Sequence, residues 1–267
     1  MEAANPQRLV MTIAGFDPSG GAGIITDVRT ILHFGCRPAA AITSLTFQNS
    51  EAVFGAIHET ADSLRAQVLP VVQEQQVLAV KLGMLPTAEL IVEVVRLIQE
   101  RNLPAPVIDP VIRASSGYEL VEASAIEALQ RELLPLARLI TPNVPEAEML
   151  TGISIEDEQG MREASRRLRE MGAPAVLVKG GHLKRKSRIG FREDPRQSVD
   201  LLDDQGEVTE FRDEWISAPP VRGTGCMLSS GIAACLALRL SLVESVRLAK
   251  DYVTDAIRFA PVGSGEN

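Results

Sequence analysis

Apolar residues recur along this chain at two alternating spacings. Unbroken runs such as RLVMTIAG (8–15) and PAVLVKGG (174–181) have the length and composition of buried strands. Between runs of that kind, Ile24, Ile25, Val28, Ile31 and Leu32 fall at helical spacing, as do Leu90, Ile91, Val94, Val95 and Ile98. Further strand-like runs lie at 39–47, 78–85, 106–112 and 137–143, and helical stretches at 21–34, 63–74, 124–134 and 145–171. VDLLDD (199–204) and EVTEFRDEW (207–215) predict a hairpin that turns at Gly206. Two helices, about 224–239 and 242–259, complete the pattern. Strand–helix alternation over most of the length implies right-handed crossovers and a mainly parallel sheet. With no linker and no repeat, the expectation is one α/β domain, residues 1–267, its sheet flanked by helices on both faces.

Composition narrows the class. The chain is 45% hydrophobic but only 4% aromatic, which suits a sheet covered by helices better than a β-sandwich. A formal charge of -8 argues against nucleic acid as a general partner. Cys36, Cys226 and Cys235 form no C-x-x-C pair, no charged-then-apolar segment opens the chain, and no run of about 18 apolar residues could span a bilayer. A soluble cytoplasmic protein with reduced thiols and no membrane partner is expected. Three scattered His give no zinc cluster. The basic segment HLKRKSRIGFREDPRQ (182–197) reads either as a solvated loop or as a flap that brings positive charge to an anionic ligand.

In an open α/β sheet, ligands sit beyond the carboxyl ends of the strands. There the chain places GFDPSGGAG (15–23), Gln48-Asn49, Gly83-Met84, Asp109-Pro110-Val111, Thr141-Pro142-Asn143 and Lys179-Gly180-Gly181. The turn Gly223-Thr224-Gly225 then opens a helix, where bare amides can receive a phosphate. The first glycine cluster lacks G-x-G-x-x-G spacing, and neither a P-loop nor G-x-S-x-G occurs. Asp109 ends an apolar strand, where a carboxylate is costly unless it faces a cleft or a cation. Glu146, in a first helical turn, either complements the helix dipole or joins Asp109 in holding Mg²⁺ through water. Lys179 can reach a phosphate or simply sit on the surface. Cys226, at the mouth of its helix, remains open between nucleophile, metal ligand, proton acceptor and core residue.

TIAGFDPSGGAGI, KLGML, DPVI, LITPNVPEAEML, VLVKGGHL and GTGCMLS occur in that order across nearly the whole chain. In these motifs the sequence resembles the hydroxymethylpyrimidine/phosphomethylpyrimidine kinases of thiamin biosynthesis, in the ribokinase-like superfamily. The resemblance implies a ribokinase-like sheet without a separate lid domain, ATP as donor, Mg²⁺ as cofactor and a homodimer. It implies phosphorylation of 4-amino-5-hydroxymethyl-2-methylpyrimidine and then of its monophosphate. Carried over by motif, Gly15, Asp27, Gln48, Met84 and Val111 would line the pyrimidine pocket, with Asp27 on the aminopyrimidine edge. Asn143 and Glu146 match the N-x-x-E element for Mg²⁺ and phosphate, and Lys179 would contact ATP phosphate. The amides of Gly223, Thr224, Gly225 and Cys226 would form an anion hole. Cys226, its pKa lowered toward neutrality by the helix N-terminus, would be the general base; Cys36 and Cys235 would be core thiols. Departures surround the phosphate side: Arg222 stands where His is frequent, and DPVIRASSG replaces Met by Ile112 and Lys by Ser115. They bear on nucleotide affinity and on the second phosphorylation. Rival readings are a pyridoxal kinase of the same branch and a non-catalytic regulator on a kinase fold.

Overall fold

The computed structural model describes residues 8–49, 51–113, 117–181, 197–216 and 221–260. Ser115 and nearly all of the basic 182–197 segment lie outside the described residues.

Among the described residues, nine strands form one sheet in the order β3-β2-β1-β4-β5-β6-β7-β8-β9. They are β1 (Leu9–Phe16), β2 (Arg37–Gln48), β3 (Val53–His58), β4 (Val77–Leu82), β5 (Val107–Ile108), β6 (Leu139–Ile140), β7 (Ala175–Lys179), β8 (Gln197–Asp204) and β9 (Glu207–Glu214). The pairs from β2 through β1 and β4 to β7 are parallel. Within the sheet, the antiparallel pairs lie at the margins, where β3 joins β2 and the β8–β9 hairpin extends β7. Successive residues of the central strands enter opposite cores. Met11, Ile13, Ile108, Ile140, Val176 and Val178 pack on one face; Val10, Val107, Leu139, Ala175 and Leu177 pack on the other. Burial on both faces explains why these strands read as unbroken apolar runs.

Helices α1 (Gly23–His33), α7 (Thr224–Ala237) and α8 (Leu242–Arg258) cover one face. The opposite core is covered by α2 (Ala61–Glu74), α3 (Ala88–Arg101), α4 (Ala123–Ala128), α5 (Val144–Thr151) and α6 (Glu158–Glu170). None of the helices among the described residues is long and apolar enough to cross a membrane.

Three expectations change. The stretch 145–171 is two helices, because Gly152 at φ 72° ends α5 and Asp157 caps α6 by accepting from the Gly160 amide. The stretch 124–134 is α4 followed by a π turn (Leu129–Leu133) and a 3₁₀ turn (Leu134–Leu136). β3 had no counterpart in the apolar pattern: it is an edge strand with no buried residue, so no buried face marks it.

β1 pairs with β2 on one side and β4 on the other, so the chain reverses its direction of growth at β1. A crevice opens beyond the carboxyl ends of strands at such a reversal.

Candidate active site

Two glycine turns meet over that crevice. Gly23 opens α1 at φ +60°, and a Cβ there would stand 2.2 Å from the Gly15 carbonyl oxygen. Gly223 caps α7 at φ +74°, and a Cβ there would stand 2.3 Å from the Gly21 carbonyl oxygen. Only glycine permits both the dihedral and the approach. The first turn is fixed by buried Asp17, whose Oδ1 accepts from the Ser19 amide (2.8 Å) and hydroxyl (2.7 Å).

The mouth of α7 gathers the predicted polar residues. Gly225 lies against both Lys179 and Asp109: a Cβ there would be 3.3 Å from Nζ and 3.4 Å from Oδ2. Lys179 Nζ donates to Asp109 Oδ1 at 3.0 Å and stands 4.0 Å from Glu146 Oε2. Thr141 and Ser229 hydroxyls approach the two Asp109 oxygens at 3.4 and 3.5 Å. Asn143 and Glu146 form a capping box on α5: Asn143 Oδ1 accepts from the Glu146 amide at 2.9 Å, and Glu146 Oε2 from the Asn143 amide at 2.8 Å. Burial drives the Glu146 carboxyl up to about 7 against the pull of Lys179; the Asp109 charge raises it further. Burial disfavours the Lys179 charge, but Asp109 and Glu146 outweigh it and raise its pKa.

This donor set suits magnesium. Two carboxylates converge on one cation, here the Lys179 ammonium, with a hydroxyl beside them. Mg²⁺ in phosphate sites takes one or two carboxylates and completes its shell with water and phosphate oxygens.

The remaining predicted residues divide. Met84 is buried, and its sulfur would sit 3.1 Å from a Cβ on Gly15, so the glycine makes room for it. Gln48 ends β2, its Oε1 accepting from Arg222 Nη2 at 2.9 Å. Val111, partly buried, lines an apolar crevice with Gly83, Leu85, Pro110 and Ile112.

Asp27 requires a correction. It is fully buried, with Oδ2 accepting from Thr12 (2.6 Å) and Lys81 (2.8 Å), and Oδ1 from Ser230 (2.7 Å) and Lys81 (3.0 Å). All its acceptor capacity serves this network, which leaves none for a pyrimidine edge. Lys81, equally buried, was missed, although a lysine inside the apolar run VLAVKLGML implies a partner.

Cys226 corrects a second expectation. Burial pushes its thiol up to about 11, and the Asp27 and Asp109 charges add to the rise; Lys81 and the Gly23 amide only partly oppose it. Enclosure outweighs the helix terminus, so the resting group is a thiol. Cys36 and Cys235 are buried and form no disulfide: Cys36, just before β2, donates to the Ala234 carbonyl, and Cys235 lies buried on α7.

Known proteins resemble this chain over most of its length. The family model described as phosphomethylpyrimidine kinase matches residues 17–267. The thiamine biosynthesis bifunctional protein ThiED of Geobacter sulfurreducens is 42% identical over 97% of this chain, which spans about half (51%) of that longer protein. The hydroxymethylpyrimidine/phosphomethylpyrimidine kinase of Streptomyces coelicolor is 40% identical, over 96% of this chain and 91% of that one. Among solved structures, an ADP complex of Bacillus subtilis pyridoxal kinase superposes with a TM-score of 0.83 at 32% identity, covering 95% of this chain and 92% of that one.

Proposed function

The chain belongs to the phosphomethylpyrimidine kinase family, and from that premise we propose that it moves the γ-phosphoryl group of ATP onto 4-amino-5-hydroxymethyl-2-methylpyrimidine, then onto the resulting monophosphate, in thiamin biosynthesis. The observation that carries this reading is the convergence of the α7 amides, Cys226, Lys179 and Asp109 at the strand reversal. A kinase needs an anion hole, a cation for the donor and a proton acceptor within one crevice.

The Gly223–Cys226 amides, at the positive end of α7, receive the transferring phosphoryl oxygens. Lys179 exchanges Asp109 for phosphate and holds the donor. Asp109 and Glu146 would hold magnesium, which supplies charge neutralisation of the phosphates. Gly15, Gln48 and Met84 bound the acceptor pocket. As the hydroxymethyl oxygen bonds to the γ-phosphorus and ADP departs with the bridging electron pair, the hydroxyl proton passes to Cys226 Sγ. In a loose transition state that proton becomes acidic late, so a thiol of high pKa is a matched acceptor once ionised.

Cys226→Ser tests this. With the alcohol at saturation its kcat should fall about 10²–10⁴-fold, the usual worth of a general base. Below its pKa the thiolate fraction rises tenfold per pH unit, so the parent's kcat should climb through the alkaline range while the serine variant's stays flat. A variant kcat within threefold of the parent would exclude Cys226 as the base.

A second reading, pyridoxal phosphorylation, draws support from the structural likeness to a pyridoxal kinase. Relative kcat/KM on the two alcohols decides between them. A cytoplasmic homodimer completes the proposal: Phe47, Phe54 and Ile57 stand exposed along the β2–β3 edge, and light scattering tests the association.

A further inference from the structure

Arg222, just before the N-cap of α7, is a cation that the reaction above does not use. Its guanidinium spans the seam between the two glycine turns. Nη2 donates to Gln48 Oε1 at 2.9 Å and reaches Asp17 Oδ2 at 3.3 Å. Nη1 reaches the Ser19 hydroxyl at 3.3 Å and donates to the Asn49 carbonyl. Three of these four acceptors are neutral. The one carboxylate is held at a long distance and already accepts twice from Ser19 on its other oxygen. The side chain stays 27% exposed.

The two lysines at the mouth of α7 are differently placed. Lys81 is sealed and takes both oxygens of Asp27. Lys179 lies on the β6–β7 side, engaged by Asp109 and Glu146. Arg222 lies on the β1–β2 side, touching Gln48 at the acceptor pocket. A negative charge carried by the acceptor rather than the donor therefore meets Arg222.

We propose that Arg222 recognises the phosphate of a phosphorylated acceptor, and so determines how well the monophosphate competes with the alcohol. This rests on the two-step kinase reading above. In the second transfer an unprotonated phosphate oxygen of the acceptor bonds to the γ-phosphorus. The bond to the β–γ bridging oxygen breaks, and ADP leaves with its electron pair. A phosphate monoester with a second pKa of about 6 arrives near neutral pH mostly as a dianion, so it has no proton to give up. Cys226 has little to accept in this step, while the added charge beside the donor phosphates needs a cation. The planar guanidinium fork matches two phosphate oxygens at once, which a lysine cannot do. Arg222 gives up Asp17 and Gln48 to make this contact, and Gln48 remains for the ring.

The experiment is a set of initial rates with ATP and either the pyrimidine alcohol or its monophosphate, for the parent, R222Q, R222K and C226S. The readout is the ratio of kcat/KM on the monophosphate to kcat/KM on the alcohol. In R222Q this ratio should fall roughly 10–100-fold, the range for losing a charge-assisted hydrogen bond. R222K should lie between R222Q and the parent, and C226S should move the ratio in the opposite direction. An R222Q ratio within twofold of the parent overturns the inference, as does a parent that turns over the alcohol but not the monophosphate. A parent active on neither removes the kinase reading itself. Should R222Q be inactive on both, thermal melts with the monophosphate alone decide: the inference requires a Tm rise in the parent that R222Q lacks, and equal rises overturn it.

Discussion

Two lysine–aspartate pairs flank the start of α7, and they are built for different ends. Lys81 and Asp27 are fully buried, and Thr12 and Ser230 complete the carboxylate's shell. Lys179 and Asp109 share the same chemistry at nearly the same distance, 3.0 Å, but Lys179 is 16% exposed and a third charged group, Glu146, stands 4.0 Å away. The first pair is closed and neutral; the second is open and carries one carboxylate in excess. A closed pair fixes geometry, whereas an open one can exchange partners when a phosphate or a metal arrives. Identical residue types thus differ in enclosure, and the proposed function makes the closed pair a scaffold and the open pair part of the working site.

The largest expected effect strikes the closed pair. Asp27→Ala leaves the Lys81 ammonium buried without its partner, and breaking such a pair costs about 3–5 kcal/mol. Urea unfolding should register that loss, while calorimetry on the folded remainder should find pyrimidine affinity nearly intact. A loss under about 1 kcal/mol together with weakened pyrimidine binding would return Asp27 to the acceptor pocket and dissolve the contrast.

This pair also marks the limit of what the sequence discloses. The βαβ order and the GTGC turn were legible because each has a local cause: two-sided burial makes apolar runs, and positive φ demands glycine. The grouping of Asp109, Asn143, Glu146, Lys179 and Cys226 was legible because strand ends in such a sheet share one rim. Which carboxylate faces solvent is a tertiary matter. Asp27 lies on a helical face between Ile24 and Ile31, and only the approach of Lys81 from β4 and Ser230 from α7 shows that the face is sealed. The Cys226 pKa eluded sequence for the same reason: the helix terminus is local, but the desolvation that outweighs it comes from the surrounding elements. β3 was invisible because edge strands need no buried face.

Removing the open pair's cation should invert the outcome. Lys179→Ala leaves Asp109 and Glu146 facing each other, but Glu146 already titrates near 7 and can take up a proton instead of repelling. Stability should drop by about 1–3 kcal/mol, the cost of a buried acceptor left unsatisfied, and less than for the sealed pair because Glu146 can protonate. The kcat should fall about 10²–10³-fold, as for the loss of one preorganised charge-stabilising donor. Denaturation and steady-state rates on the same preparation check both. A stability loss equal to that of Asp27→Ala would make the two pairs alike.

Glu146 offers the finest division, because its carboxyl both caps α5 and faces the cation. Its folded pKa, about 7, lies above the ordinary 4.5. The folded state therefore binds the proton more tightly than the unfolded chain. The associated stability is fully present below pH 4.5 and is lost as pH rises through 7. Glu146→Gln keeps the capping box, since a glutamine can accept from the Asn143 amide, but it cannot ionise. In EDTA, the parent should lose on the order of 3 kcal/mol relative to the glutamine variant between pH 4.5 and 7.5, a little less than the full linkage because titration is incomplete at both limits. Added Mg²⁺ should narrow that gap at pH 7.5, because it favours the carboxylate that glutamine lacks, and the variant should need more Mg²⁺ for half-maximal turnover. Parallel stability curves would show that Glu146 is an ordinary exposed cap. Equal Mg²⁺ requirements would remove it from the metal site and leave the open pair as Lys179 and Asp109 alone.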